Sequence, residues 1–191
     1  MLYNRQDLEK RVKSQQITKY ASILEFAQIQ KSFNATKTYD VFLSHSFLDA
    51  EYIKVIKDDF EKLGLVVYVD WIDDAQLSRD KVSKETADIL RTRMKQCKSL
   101  FYVTTTNYQN SIWMPWELGY FDALKDKVAI VPVLSSSQSD DKYTGAEYLG
   151  LYYYVSINPS NGTQAIFINK SENEYVSYKE WIEGKQPYIH K

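Results

Sequence analysis

Five short apolar runs, separated by segments with helical spacing, constrain the fold of this chain more than any other feature. The runs are Tyr39-Asp40-Val41-Phe42-Leu43, Leu65-Val66-Val67-Tyr68-Val69, Leu100-Phe101-Tyr102-Val103, Val128-Ala129-Ile130-Val131-Pro132-Val133 and Tyr152-Tyr153-Tyr154-Val155-Ser156-Ile157. Each is too short for a helix, rich in β-branched or aromatic residues, and typical of a buried strand. After the first run, Ile53, Ile56, Phe60 and Leu63 fall at i, i+3, i+7 and i+10, and Gly64 stands where glycine ends helices. Thr86, Leu90 and Met94 share a face of a second helix, and a third opens near Trp113. Continuously apolar strands alternating with helices imply a parallel sheet covered on both faces. With right-handed crossovers this is a doubly wound α/β domain with a parallel five-stranded sheet. Its ligand crevice is expected outside the carboxyl ends of the strands, at a switch in strand order. Those ends are Ser44-His45-Ser46, Asp70-Trp71, Thr104-Thr105-Thr106 and the entry to the Trp113 helix.

The flanking segments add to this unit. Residues 4–32 read as helix, with Leu8, Val12, Ile23, Leu24 and Ala27 in an apolar stripe, and the polar stretch 13–16 offers a division into two. A break at 32–36 then separates an N-terminal helical extension, 1–35, from a main domain, 36–191. The extension either packs on its own domain or presents an assembly surface. Beyond the fifth run, a turn at 158–163 precedes a short strand at Ile166-Phe167-Ile168 and a helix near 174–183 that contains Tyr178 and Trp181.

Composition removes several functions. Across 191 residues, 24 basic side chains face 25 acidic ones, leaving no basic excess for nucleic acid or an anionic membrane. No apolar run reaches bilayer length, and the charged N-terminus lacks the apolar core of a secretory signal. The one cysteine, Cys97, cannot form an internal disulfide, reads as a small buried residue, and suits a reducing compartment, so the expected location is cytoplasmic. The six glycines form neither a dinucleotide-cofactor fingerprint nor a P-loop. His45 and His190 are the only histidines, too few with Cys97 for a convincing zinc site, so no metal is expected. A Ser-His-Asp triad lacks its G-x-S-x-G elbow.

The remaining chemistry lies in Trp113-Met114-Pro115-Trp116-Glu117, where Pro115 suits a first helical turn and Asn110 and Ser111 are of the capping type. Glu117 then lies near a positive helix end, where negative charge is stabilised, and Trp113 shares its face at i−4. A carboxylate beside an aromatic wall suits a ligand that carries or develops positive charge. Read alone, the same residues serve equally as core aromatics and a surface acid. Hydrolysis of an O-glycoside normally needs two carboxylates. Cleavage of the nicotinamide–ribose bond of NAD does not, because the cationic nicotinamide departs neutral, and one carboxylate can steady the developing oxocarbenium ion. NAD would be the substrate, with no separate cofactor. Ser44 and Ser46 either contact ribose or phosphate or cap the next helix. His45 is a ligand contact or a turn residue. Trp71 stacks on a ring of the substrate or seals the core. Asp73, Asp74 and Arg79 belong to a polar loop, 71–81, expected to be solvated in the monomer.

The first strand and its exit, Tyr39 to Ser46, resemble the opening motif of TIR (Toll/interleukin-1 receptor) domains. The acidic stretch Asp70-Trp71-Ile72-Asp73-Asp74 resembles their BB loop, and Trp113-x-x-x-Glu117 is similar to the W-x-x-x-E motif of TIR domains that consume NAD. The resemblance spans roughly 38–157, and the short chain looks most like the TIR proteins of bacterial Thoeris anti-phage systems. It implies a flavodoxin-like TIR fold with Glu117 as the catalytic residue and the BB loop helping to form the site; the candidate substrate-binding residues around it are Trp113, Ser44, His45, Ser46, Trp71 and Asp74. It also implies TIR–TIR self-assembly through the loop 71–81, and an ADP-ribose-derived product, cyclic or conjugated, that activates a separate effector protein. A non-catalytic TIR scaffold, a plain NAD hydrolase and a nucleoside deoxyribosyltransferase-like enzyme remain as alternatives.

Overall fold

Each of the five apolar runs contains a strand in the computed structural model, which describes residues 1–15, 36–74, 82–135, 143, 145–160 and 162–190. A short strand β1 (Tyr3–Asn4) and helix α1 (Arg5–Ser14) come first. Then follow β2 (Tyr39–Ser44), α2 (Ala50–Lys62), β3 (Val67–Tyr68), the single-turn α3 (Asp70–Asp73), α4 (Lys84–Gln96) and β4 (Cys97–Thr104). Next are α5 (Met114–Lys125), β5 (Val128–Leu134) and β6 (Tyr153–Ser160). The neighbours β3-β2-β4-β5-β6 are all parallel, and in this spatial order the first two strands of the core, β2 and β3, stand in reverse of their chain order. This is the flavodoxin-like order, and its switch point falls between β2 and β4.

The sheet continues past the parallel core. β6 turns antiparallel into β7 (Thr163–Ser171), followed by β8 (Glu174–Ser177), the helix α6 (Tyr178–Ile182) and the edge strand β9 (Tyr188–Ile189), which makes nine strands in one sheet among the described residues. Residues 174–177, read from sequence as the start of a helix, are therefore strand. Val176 is buried opposite Ile168, and the helix begins only where Ser177 accepts from the Glu180 N–H and donates back to its carboxylate. That Ser-x-x-Glu pattern is a capping box and marks the boundary.

One sheet face is covered by α2 and α6, through Ile53, Ile56, Phe60, Tyr178 and Trp181. The other is covered by α4 and α5, through Leu90, Met94, Met114, Leu118 and Phe121. Cys97 is buried, and burial pushes its thiol pKa up, away from nucleophilic use.

The N-terminal segment is built into this frame. Tyr3 and Asn4 pair with Val133 and Leu134 on β5, past the point where β5 pairs with β6 at Ala129 and Ile130. The Met1 carbonyl accepts from the Ile157 N–H on β6, so residues 1–4 fill the gap where β5 and β6 part. Arg11 of α1 bonds Asp59 of α2 at 2.8 Å, and Tyr3 donates to the same carboxylate. α1 ends at Ser14, at the polar stretch; the expected continuation to residue 32 lies outside the described residues. Among the described residues, no helix is long and apolar enough to cross a membrane.

Candidate functional site

Ser44 ends β2 directly opposite Tyr102 on β4, at the switch point. Glu117 arrives there from the first turn of α5, where its N–H donates to the Trp113 carbonyl at 2.8 Å. The Ser111 hydroxyl accepts from the Met114 N–H at 3.2 Å and supplies the cap, while Pro115 occupies the first turn without forfeiting a helical bond. The Ser44 hydroxyl donates to Glu117 Oε2 at 2.6 Å, within a carboxylate environment that is 0% exposed. A bond of this length to a carboxylate is strong and fixes both groups. Ser44 is thus a partner of the carboxylate rather than a helix cap. Trp113 immediately precedes α5, is buried in the core cluster on that side of the sheet, and meets Trp116 edge-on at 5.5 Å.

The other strand-end residues divide. Ser46 accepts from the Leu48 N–H at 3.4 Å and caps a short 3-10 turn, Phe47–Asp49. The His45 ring is 2% exposed; its Nδ1 donates to the Leu43 carbonyl at 2.8 Å, and its Nε2 accepts from the Trp71 indole at 2.9 Å. Asp70 lies 3.6 Å from that Nε2. Trp71 packs among the buried residues under α2, so it seals the core and braces the exit of β2.

Asp73 and Asp74 correct the expectation of a solvated loop. Asp74 is fully buried and receives a two-pronged ion pair from Arg93 of α4, at 2.6 and 2.7 Å, plus the Tyr68 hydroxyl at 2.8 Å. Burial opposes the Arg93 charge, but the Asp74 bonds and charge outweigh it and the guanidinium pKa rises. Tyr68 is pushed up by burial and then by the charges of Asp70 and Asp74. Asp73 accepts from the Val69 N–H at 3.0 Å and caps its own turn. The buried Arg93 fork explains the difference: it needs a planar carboxylate inside the protein. Asp74 is therefore held within the frame and does not join Glu117 and Ser44. Residues 75–81, including Arg79, lie outside the described residues.

Sequence reasoning overlooked Asp49, Asn107 and Tyr102. Asp49, 2% exposed, accepts from the Thr105 hydroxyl at 2.6 Å and from the Asn107 amide at 2.7 Å, tying the β2 exit to the β4 exit. Tyr102 lies near enough to Glu117 to feel its charge; burial, then Tyr148 and Tyr108, then Glu117, raise its pKa. Tyr143, over Tyr154, is pushed up to about 12, by burial and then Tyr108. A recess of about 530 Å³ lined by Tyr3, Leu8, Asp59 and Ile157 touches none of these groups. Among the described residues, no group of three or more His, Cys, Asp or Glu side chains could hold a metal ion.

Comparison with known proteins agrees with this geometry. The family model described as TIR domain matches residues 41–166. The chain is 56% identical over 164 residues to the probable 3' cyclic ADP-D-ribose synthase ThsB' of Bacillus cereus (strain MSX-D12), covering 85% of this chain and 83% of that one. It is 42% identical over 85 residues to the putative cyclic ADP-D-ribose synthase TIR2 of Cytobacillus dafuensis, covering 44% of this chain and 22% of that one.

Proposed function

Because this chain belongs to the TIR-domain family, we infer that it cleaves the nicotinamide–ribose bond of NAD and makes a cyclic ADP-ribose isomer as a signal. The observation that carries the reading at the level of residues is the buried Glu117 carboxylate, at the switch point, with the Ser44 hydroxyl at 2.6 Å. Nicotinamide leaves as a neutral ring, taking the bonding pair with it. Glu117 stabilises the positive charge that develops on the ribose, and Ser44 holds the carboxylate in place. Trp113 supplies a buried aromatic anchor at the start of the helix that bears Glu117. His45 and Trp71 act together as a brace of the β2 exit, and Ser46 shapes its turn.

Glu117 has no solvent-exposed surface, so NAD reaches it only after the crevice rearranges. Self-assembly through the segment 71–81 supplies such a change, since a neighbour engaging it pulls on Trp71 and thereby on His45. Activity is then expected to rise more steeply than protein concentration. The signal acts in the cytoplasm on a separate effector protein, as part of an anti-phage response. The similarity to the Bacillus cereus protein named as a probable 3' cyclic ADP-D-ribose synthase supports the cyclic product.

The test is incubation of concentrated protein with NAD and identification of products by mass. Wild-type protein is expected to release nicotinamide and a cyclic ADP-ribose isomer, and folded Glu117→Gln protein to release neither. Cleavage by the mutant at near the wild-type rate removes Glu117 from its role. Free ADP-ribose as the sole second product, at every concentration, leaves plain NAD hydrolysis. Silence of the wild-type protein leaves a scaffold.

A further inference from the structure

Asp49 spans the same gap that Ser44 and Glu117 span, from the other side. It stands at the N-cap of α2, where an aspartate normally turns back to its own helix, yet its side chain makes no capping bond. Both oxygens instead reach the β4 exit, one to the Thr105 hydroxyl at 2.6 Å and the other to the Asn107 amide at 2.7 Å. Thr105 also accepts from the Asn107 N–H at 3.0 Å, which closes a small ring of bonds. The strand–helix connection so held runs on to Ser111, the cap of the helix that carries Glu117. On the near side, Asp49 ends the short turn that begins just after Ser44 and His45. The chain segments that follow Ser44 and precede Glu117 are therefore joined by a second tie, a buried carboxylate with two donors, besides the Ser44–Glu117 bond.

Resting on the functional reading above, we propose that Asp49 is a positioning residue that fixes the width of this crevice and so decides between cyclisation and hydrolysis. Both outcomes begin with the same broken bond, from the ribose anomeric carbon to nicotinamide. In cyclisation a nucleophile elsewhere in the same ADP-ribose forms the new bond to that carbon and releases its proton to solvent. In hydrolysis water forms the bond and releases a proton likewise. The internal nucleophile wins only if it is held near attack distance while water is kept out. A crevice that breathes loses both conditions, and water takes the cation.

The experiment compares the ratio of cyclic to free ADP-ribose, by mass, for wild-type, Asp49→Asn, Thr105→Val and Thr105→Ser proteins of confirmed fold. Asp49→Asn presents an amide donor to one of two donors, and Thr105→Val deletes a donor. Each is expected to lower the ratio by about tenfold, the scale of one lost bond to a charged acceptor. Nicotinamide release should fall less than the ratio does. Thr105→Ser keeps the hydroxyl and is expected to keep the ratio. A merely structural clamp would change total turnover and leave the ratio alone. If Asp49→Asn does not fold, the Val and Ser variants at position 105 carry the test by themselves. An unchanged ratio in folded Thr105→Val protein overturns the proposal while leaving the functional reading intact. Absence of nicotinamide release from wild-type protein overturns both.

Discussion

Two buried carboxylates, Asp74 and Glu117, show how the same group can be held by an opposite charge or by a neutral hydroxyl. Both are 0% exposed; Asp74 ends the single turn α3 that follows β3, and Glu117 lies in the first turn of α5. Asp74 meets the flat fork of Arg93 in two bonds and takes a third from Tyr68. Its charge is matched by an equal and opposite one at contact distance. Glu117 meets a neutral hydroxyl, which orients a carboxylate without cancelling it. Burial with an arginine makes a rivet. Burial with a serine beside a helix N-terminus orients the carboxylate, and in the proposed reaction that carboxylate faces the forming cation.

The largest effect should come from breaking the rivet. Asp74→Ala leaves the Arg93 charge buried without its carboxylate, and a loss of about 3–5 kcal/mol is expected in denaturant unfolding. A loss under about 1 kcal/mol would mean that Asp74 is as exposed as the sequence suggested. On the other side, Glu117→Gln should leave the unfolding midpoint nearly unchanged, since the amide oxygen still accepts from Ser44. Its nicotinamide release should fall on the order of a hundredfold or more. Equal damage to stability and activity in both mutants would dissolve the contrast. Ser44→Ala sharpens it further: the carboxylate keeps its charge and loses one orienting bond, so turnover should drop about tenfold. The smallest effect belongs to Trp71→Phe, which removes the indole N–H given to His45 and should lower stability by about 1 kcal/mol in thermal or denaturant unfolding.

The contrast also explains which parts of the molecule could be read from the chain. Strand positions were visible because burial on both faces writes an unbroken apolar run. Glu117 was visible because a proline, a capping serine and a tryptophan at i−4 lie next to it. Asp74 was misread because its partner is 19 positions away, and an acid in a polar stretch looks solvated until the arginine arrives. Asp49, Thr105 and Asn107 come together over 56 and 58 positions, a distance that no local pattern encodes. The capping box at Ser177 was present in the sequence, but Tyr178 and Trp181 drew the helix boundary too far forward. A two-residue strand such as β1 carries no periodicity at all.

That short strand has a consequence for the order in which the protein acquires its shape. Met1 bonds a residue 156 positions away, and Tyr3 and Asn4 pair far along the chain, on β5. Contacts of such high sequence separation close large loops and form slowly. During synthesis residues 1–4 must wait for β5 and β6 before they have anywhere to bind. Until then the seam between those two strands stands open, with two edges able to accept a strand from another chain. The molecule is therefore at its most sociable in the last moments of folding, and the closing of that seam is what makes it a self-contained unit.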